Sequence, residues 1–117
     1  MWICLNDAFL SVVADKDNPE RLLVRARRKS DLTSALGEDV EVIENAASDY
    51  RWRTFVDRSA VKELLERRID TLSYTNFKNS VKSHDLHDTY MEFWHTHRRY
   101  QESDRREGAG ARRGRSS

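Results

Sequence analysis

The sequence predicts an α+β domain: a permuted ferredoxin-like four-stranded antiparallel sheet in the order ββαββα, followed by C-terminal helices. Three observations carry this. Two β-rich runs, residues 9–14 and 22–27, flank the polar segment Asp15-Lys16-Asp17-Asn18-Pro19-Glu20, which reads as a hairpin with a long turn. A second pair of extended runs, residues 40–44 and 50–56, follows one short helical segment. Val61, Leu64, Leu65, Ile69 and Leu72 then recur at helical spacing and project within roughly 140° of one another. From residue 22 onward this is the ferredoxin-like order with its last strand missing. The strand at Phe9 fills that vacancy from the N-terminal side, which makes residues 22–27 and 50–56 the central strands with both helices on one face.

Each element has a local reason. Residues 2–5 suit a further short strand, broken by Asn6-Asp7. Ser30 is the expected cap of a helix of at most two turns, with Leu32, Ala35 and Leu36 on one side and Gly37 as the left-handed residue that stops it. Tyr50-Arg51-Trp52-Arg53-Thr54-Phe55-Val56 alternates strongly, and Ser59 is the expected cap of the next helix. A helical turn is expected over residues 76–81, and Ser83 caps a last helix running to about Tyr100. Asp85 and Asp88 suit its positive N-terminal end. Projection of this helix places Leu86, Tyr90, Phe93, Trp94, His97 and Tyr100 on one face and His84, Asp88 and His95 on the opposite one. From Glu102 the chain is Arg, Asp, Glu, Gly, Ala and Ser without a large apolar residue, too little burial to offset its ordering entropy. Residues 1–101 are therefore expected to form a single domain and residues 102–117 a disordered Arg/Gly-rich basic tail.

A length of 117 residues fits one core. Charged residues make up 35% of the chain against 38% hydrophobic, so much of the surface must be ion-paired or offered to partners. The net charge of +1 is uneven: residues 98–117 hold seven Arg against Glu102, Asp104 and Glu107, a balance of +4, which leaves −3 on residues 1–97. Cys4 is the only cysteine, which excludes an intrachain disulfide and fits a reducing cytoplasm. No basic, apolar leader and no run approaching roughly 20 apolar residues is present, so a cytoplasmic protein without a membrane partner is expected.

Alternation puts Leu23, Arg25 and Arg27 of one central strand and Arg51, Arg53 and Phe55 of the other on the sheet face turned away from the helices. Adjacent guanidiniums repel unless they meet phosphate, carboxylate or aromatic faces, and their fork suits bidentate phosphate contacts. A nucleic-acid platform follows from this. The opposing reading pairs these Arg with Glu41, Glu44 and nearby aspartates as salt bridges on a solvated face, and the Lys/Arg-Gly-Phe/Tyr motif of RNA-recognition sheets is missing. The tail resembles Arg/Gly segments that add salt-sensitive affinity for nucleic acid. All four histidines fall between Tyr74 and His97. His84 and Asp88 stand at i, i+4 with His87 close by, but His95 lies roughly 16 Å farther along the helix, too far to share one ion. No metal is expected, and His97 is expected as a hydrogen-bonded core histidine. Gly37 is the only glycine before the tail, which excludes a Gly-rich phosphate loop, and no cofactor is expected.

Leu5-Asn6-Asp7-Ala8-Phe9-Leu10-Ser11, Arg21-Leu22-Leu23-Val24-Arg25-Ala26-Arg27, Asp49-Tyr50-Arg51, Asn76-Phe77-Lys78 and Leu86-His87-Asp88 with Tyr90 and Trp94 resemble a family of small uncharacterised bacterial proteins, often found near phage or other mobile elements, with no assigned activity. The resemblance covers roughly residues 1–95. It implies a compact cytoplasmic protein with pattern residues Asp7, Arg25, Arg27, Arg51, Asn76, Lys78 and His87.

The expected function is non-enzymatic binding of a phosphate-bearing or acidic macromolecule, nucleic acid first or an acidic protein, through Arg25, Arg27, Arg51, Arg53, Asn76, Lys78 and His87. The alternatives are a protein-interaction regulator or inhibitor from a mobile element, using Phe77, His87, Tyr90 and Trp94, and a hydrolase, metal-assisted or not, built on His87. No catalytic residue is assigned, because no serine or cysteine sits in a setting that activates it.

Overall fold

The computed structural model describes residues 1–111, and their side chains through Arg105. The chain divides into two compact units, Met1–Lys82 and Ser83–Ser117. The first holds an open five-stranded antiparallel sheet in the order β1-β2-β3-β5-β4, from β1 (Trp2–Cys4), β2 (Phe9–Ala14), β3 (Arg21–Ala26), β4 (Ile43–Glu44) and β5 (Trp52–Asp57). It also holds α1 (Lys29–Leu36), α2 (Arg58–Asp70) and α3 (Phe77–Ser80). The second unit is the helix α4 (His84–Ala111).

The α+β class is as expected, but the sheet has five strands where four were predicted, so its strand count and order differ from the permuted ferredoxin-like sheet. The added strand is β1, paired with β2 through Trp2↔Ser11, Ile3↔Leu10 and Cys4↔Phe9. Its short run is fixed from both ends. The Met1 amine donates to the Val12 carbonyl at 2.8 Å, and the Leu5 N–H donates to the Ala8 carbonyl at 2.8 Å across the turn. Strand β4 is shorter than the predicted 40–44.

The core lies between the sheet and α1 and α2. Leu10 and Val12 of β2, Val24 and Ala26 of β3, Leu32 and Ala35 of α1, and Val61 and Leu64 of α2 are buried together. Each large side chain so buried stabilises the fold by about 1.5–3 kcal/mol. Two polar ties fix the layers. Arg68 of α2 grips Asp7 of the β1–β2 turn with two bonds of 2.8 and 3.1 Å, and the Phe9 N–H donates to the Asp31 carboxylate of α1 at 3.2 Å. Asp7 thus joins the turn to α2.

Helix α1 stops at Gly37, whose φ of 100° suits the residue placed there. The helix starts differ from expectation. The N-cap of α1 is Arg28 and that of α2 is Asp57, neither making a side-chain cap bond. At α2 the chain turns directly from β5 into the helix, and the Arg58 N–H donates to the Glu20 carbonyl at 2.8 Å. A distant turn thereby supplies an acceptor for the first N–H of the helix, and Ser59 lies inside the helix instead of capping it. Asn76 caps α3 by accepting from the Asn79 N–H at 3.1 Å, and Ser83 accepts from the Leu86 N–H at 3.3 Å at the start of α4. Helix α4 continues past Tyr100 to Ala111, and the last part of the expected basic tail, residues 112–117, lies outside the described residues.

Candidate anion-binding site

Strand alternation divides β3 between two environments. Leu22, Val24 and Ala26 pack into the core, so Arg21, Leu23, Arg25 and Arg27 face the other way. On β5, Trp52 and Val56 pack against the core and Arg51, Arg53 and Phe55 take the opposite parity. The register pairs Arg25 with Arg53 and Leu23 with Phe55. Through β2 and the edge strands it lines up Trp2, Ser11, Arg25, Arg53 and Ile43 as one row across all five strands.

The guanidiniums divide into two kinds. Those toward the rim have carboxylates: Arg51 Nε donates to Glu44 Oε2 at 2.6 Å, and Arg27 Nη1 donates to Asp49 Oδ1 at 3.1 Å and to the Asp49 carbonyl at 2.9 Å. Arg21, at the other end of β3, donates to Asp15 Oδ2 at 2.8 Å and lies over the Phe55 ring at 4.4 Å. The Arg21 guanidinium and the Asp17 N–H are the favourable partners of Asp15, and the Asp17 bond is the larger cause holding its pKa below the ordinary value of 3.8.

Arg25 and Arg53, in the middle, have neutral partners only. Arg25 Nη2 donates to Ser11 Oγ at 2.7 Å, and its guanidinium lies over the Tyr50 ring at 4.7 Å. Arg53 Nη2 donates to Ser48 Oγ at 2.8 Å and to the Tyr50 carbonyl at 3.2 Å. Both side chains are half-buried, and the Nε of each is shielded with no acceptor among the described residues. Like charges directly opposite on a sheet are destabilising, and an unpaired buried donor costs about 1–3 kcal/mol. The site therefore holds two adjacent positive charges with no carboxylate between them. Tyr50 organises the cluster, since Arg27 also lies over its ring, at 4.2 Å.

The face is neither flat nor uniformly open. Phe9, Ser11 and Tyr50 are buried, whereas Trp2 is 67% and Phe55 42% exposed. Trp2 also meets Phe9 edge-on at 5.6 Å. The sheet brings together Arg25, Arg27, Arg51 and Arg53. Asn76 and Lys78 sit on α3 instead, where Asn76 has its capping role. His87 lies in the first turns of α4. Sequence reasoning did not single out Tyr50, Ser11, Ser48 or Arg21 for this face. Arg21 was available from its shared parity with Arg25 and Arg27, whereas the hydroxyl acceptors depend on the tertiary register.

On α4, His84 Nδ1 is 3.3 Å and His87 Nδ1 3.7 Å from the Asp88 carboxylate. Among the described residues no group of three or more His, Cys, Asp or Glu side chains is placed to hold a metal ion. His97 is exposed, which corrects its expected core placement. Burial fades along the helix face that carries it: Tyr90 is buried, Phe93 half-buried, Trp94 exposed and Tyr100 77% exposed. No helix of the described residues is long and apolar enough to cross a membrane.

Comparison with protein-family models, with curated proteins and with solved structures found no match.

Proposed function

We propose that the protein is a non-enzymatic module that binds single-stranded nucleic acid on the Arg-bearing sheet face, with the phosphate backbone meeting Arg25 and Arg53. The observation that carries this reading is the cross-strand pair itself: two half-buried guanidiniums, opposite each other, with hydroxyl and carbonyl partners but no counter-charge. A phosphate at the Nη atoms supplies the missing charge, through charge-assisted bonds stronger than those to neutral partners. Arg27 and Arg51 are each neutralised by one carboxylate at the rim, which leaves Arg25 and Arg53 as the uncompensated positive charges of the face.

Nucleic acid is favoured over an acidic protein by the aromatics of the same face. Trp2 shares the row of Arg25 and Arg53, and Phe55 is the next residue of the same parity on β5. Both are exposed, and Phe55 carries the Arg21 guanidinium plane. Bases stack on aromatic rings and on guanidinium planes with little regard to sequence. In this reading β2-β3-β5-β4 is a permuted ferredoxin-like core to which β1 is appended, and β1 contributes Trp2 to the platform.

The test is fluorescence anisotropy of a labelled single-stranded oligonucleotide with the full chain across a salt series. Affinity is expected to fall linearly in log–log form with salt, because phosphate contacts release counterions. The Arg25→Ala change is expected to weaken binding by about tenfold, the cost of one or two charge-assisted bonds. Affinity that is flat with salt, or unchanged in the variant, contradicts the proposal.

A further inference from the structure

A second feature of the sheet lies at its β5 edge and has the opposite charge. In an antiparallel pair, the N–H and C=O of one residue point to the same side, and successive residues alternate. The Asn45 N–H donates to the Arg51 carbonyl at 2.7 Å, and the register places Ile43 opposite Arg53. The odd residues of β5 therefore serve the β4 side, and Trp52, Thr54 and Val56 serve β3. By this alternation the N–H and C=O of Phe55 point outward, like those of Arg53. Strand β4 begins only at Ile43, so no described strand lies opposite Phe55.

The chain before β4 does not close this gap. The chain leaves α1 at Gly37, and Asp39, Val40 and Glu41 line one side of a cavity of about 670 Å³ beside the free edge. Its floor is apolar, from the buried or half-buried Leu36, Val40, Val56 and Leu64, and its rim is acidic, from the exposed Asp39, Glu41, Asp57 and Glu63. Glu63 faces Arg67 at 3.9 Å. Asp39, Glu41 and Asp57 have no ion-pair partner among the described residues. The remaining cation of the lining, Arg21, is held by Asp15.

We infer that the β5 edge accepts an extended peptide of a partner protein as an added strand, with Lys or Arg alternating with aliphatic residues. The backbone of the peptide pairs with Phe55, its aliphatic side chains fill the floor between β5 and residues 37–42, and its cations meet Asp39, Glu41 and Asp57. Strand addition of this kind draws affinity from main-chain bonds and specificity from alternate side chains, and an uncovered edge invites it. The charge complementarity selects a basic occupant and rejects an acidic one. The site shares Phe55 and Ile43 with the Arg-bearing face but makes no use of the Arg25–Arg53 pair, so it stands independently of the nucleic-acid reading.

The probe is a short labelled peptide alternating Lys with Val, titrated into the full chain at low salt. Binding is expected, with the Phe55 amide shifted in the NMR spectrum and its hydrogen exchange slowed by about tenfold. N-methylation of alternate peptide nitrogens is expected to weaken binding at least about tenfold, as is replacement of Lys by Glu. The isosteric triple change Asp39→Asn, Glu41→Gln, Asp57→Asn is expected to cost about tenfold while leaving circular dichroism unchanged, and Arg25→Ala is expected to have no effect. The inference is overturned if the Lys/Val peptide does not bind, or if the N-methylated or Glu-bearing peptide binds equally well. It is also overturned if a peptide copying residues 105–117 binds more tightly, or if the free chain dimerises through Phe55 and excludes the probe.

Discussion

The two faces of the sheet are made from the same strands and follow opposite rules. On the side of α1 and α2, β3 contributes Leu22, Val24 and Ala26 to an apolar cluster. One residue out of phase, the same strand presents Arg21, Arg25 and Arg27, and β5 places Arg53 directly against Arg25. The first face is what a stable two-layer domain requires. The second brings like charges together and leaves two shielded Nε atoms without acceptors. Such an arrangement detracts from stability unless something outside the chain completes it. Folding rests on one parity of β3 and the proposed binding on the other, so the two are separable by mutation.

The largest separation is expected from Leu32→Ala. Leu32 is fully buried beneath the sheet, and its truncation should lower unfolding free energy by about 3 kcal/mol in a urea melt. Oligonucleotide affinity of the folded fraction should be unaltered. Arg53→Ala should do the reverse. It removes one of two repelling charges, so stability is expected to change by less than about 1 kcal/mol, while affinity drops by about tenfold, measured by anisotropy. A smaller loss, about 1 kcal/mol of binding free energy, is expected for Phe55→Ala from lost base stacking, with the salt slope preserved because no phosphate contact is removed.

The smallest effects are titrations. The pKa of Asp15 is lowered, chiefly by the Asp17 N–H and also by Arg21. Its contribution is therefore present above 3.8 and lost as pH falls through the lower folded value. Asp31 behaves oppositely. Burial raises its pKa against the bond from the Phe9 N–H, so ionising it costs stability above its folded pKa, and that cost is relieved as pH falls toward 3.8. Urea melts in an acid series should show Asp15→Asn removing part of the acid-induced loss. Asp31→Asn should raise stability modestly at neutral pH, since the amide oxygen still accepts from Phe9.

Much of this contrast was legible in the sequence because alternation is a local property. The runs around Leu22 and Trp52 fixed which residues share a face, and the four Arg were assigned to one surface from their parity alone. What was not legible depends on distant chain. The acceptors of Arg25 and Arg53 are Ser11 and Ser48 together with the Tyr50 carbonyl, brought in by register and by the β4–β5 turn. Helix α2 begins at Arg58, one residue before Ser59, as the chain leaves β5, with a carbonyl from the β2–β3 turn as acceptor. Rules for local capping do not see such a partner. The hydrophobic stripe of α4 was drawn to Tyr100 by periodicity, but periodicity does not say where burial ends, and His97 and Tyr100 are exposed.

The central claim, that the Arg25–Arg53 pair takes its counter-charge from nucleic-acid phosphate, is tested most directly by following the arginine side-chain NMR signals during titration with a single-stranded oligonucleotide. The account predicts that the signals of Arg25 and Arg53 shift together and saturably, more than those of Arg58 and Arg67, and that Arg53→Ala moves the midpoint of the Arg25 shift to about tenfold higher oligonucleotide concentration. Unmoved Arg25 and Arg53 signals in a complex formed elsewhere on the chain would contradict it.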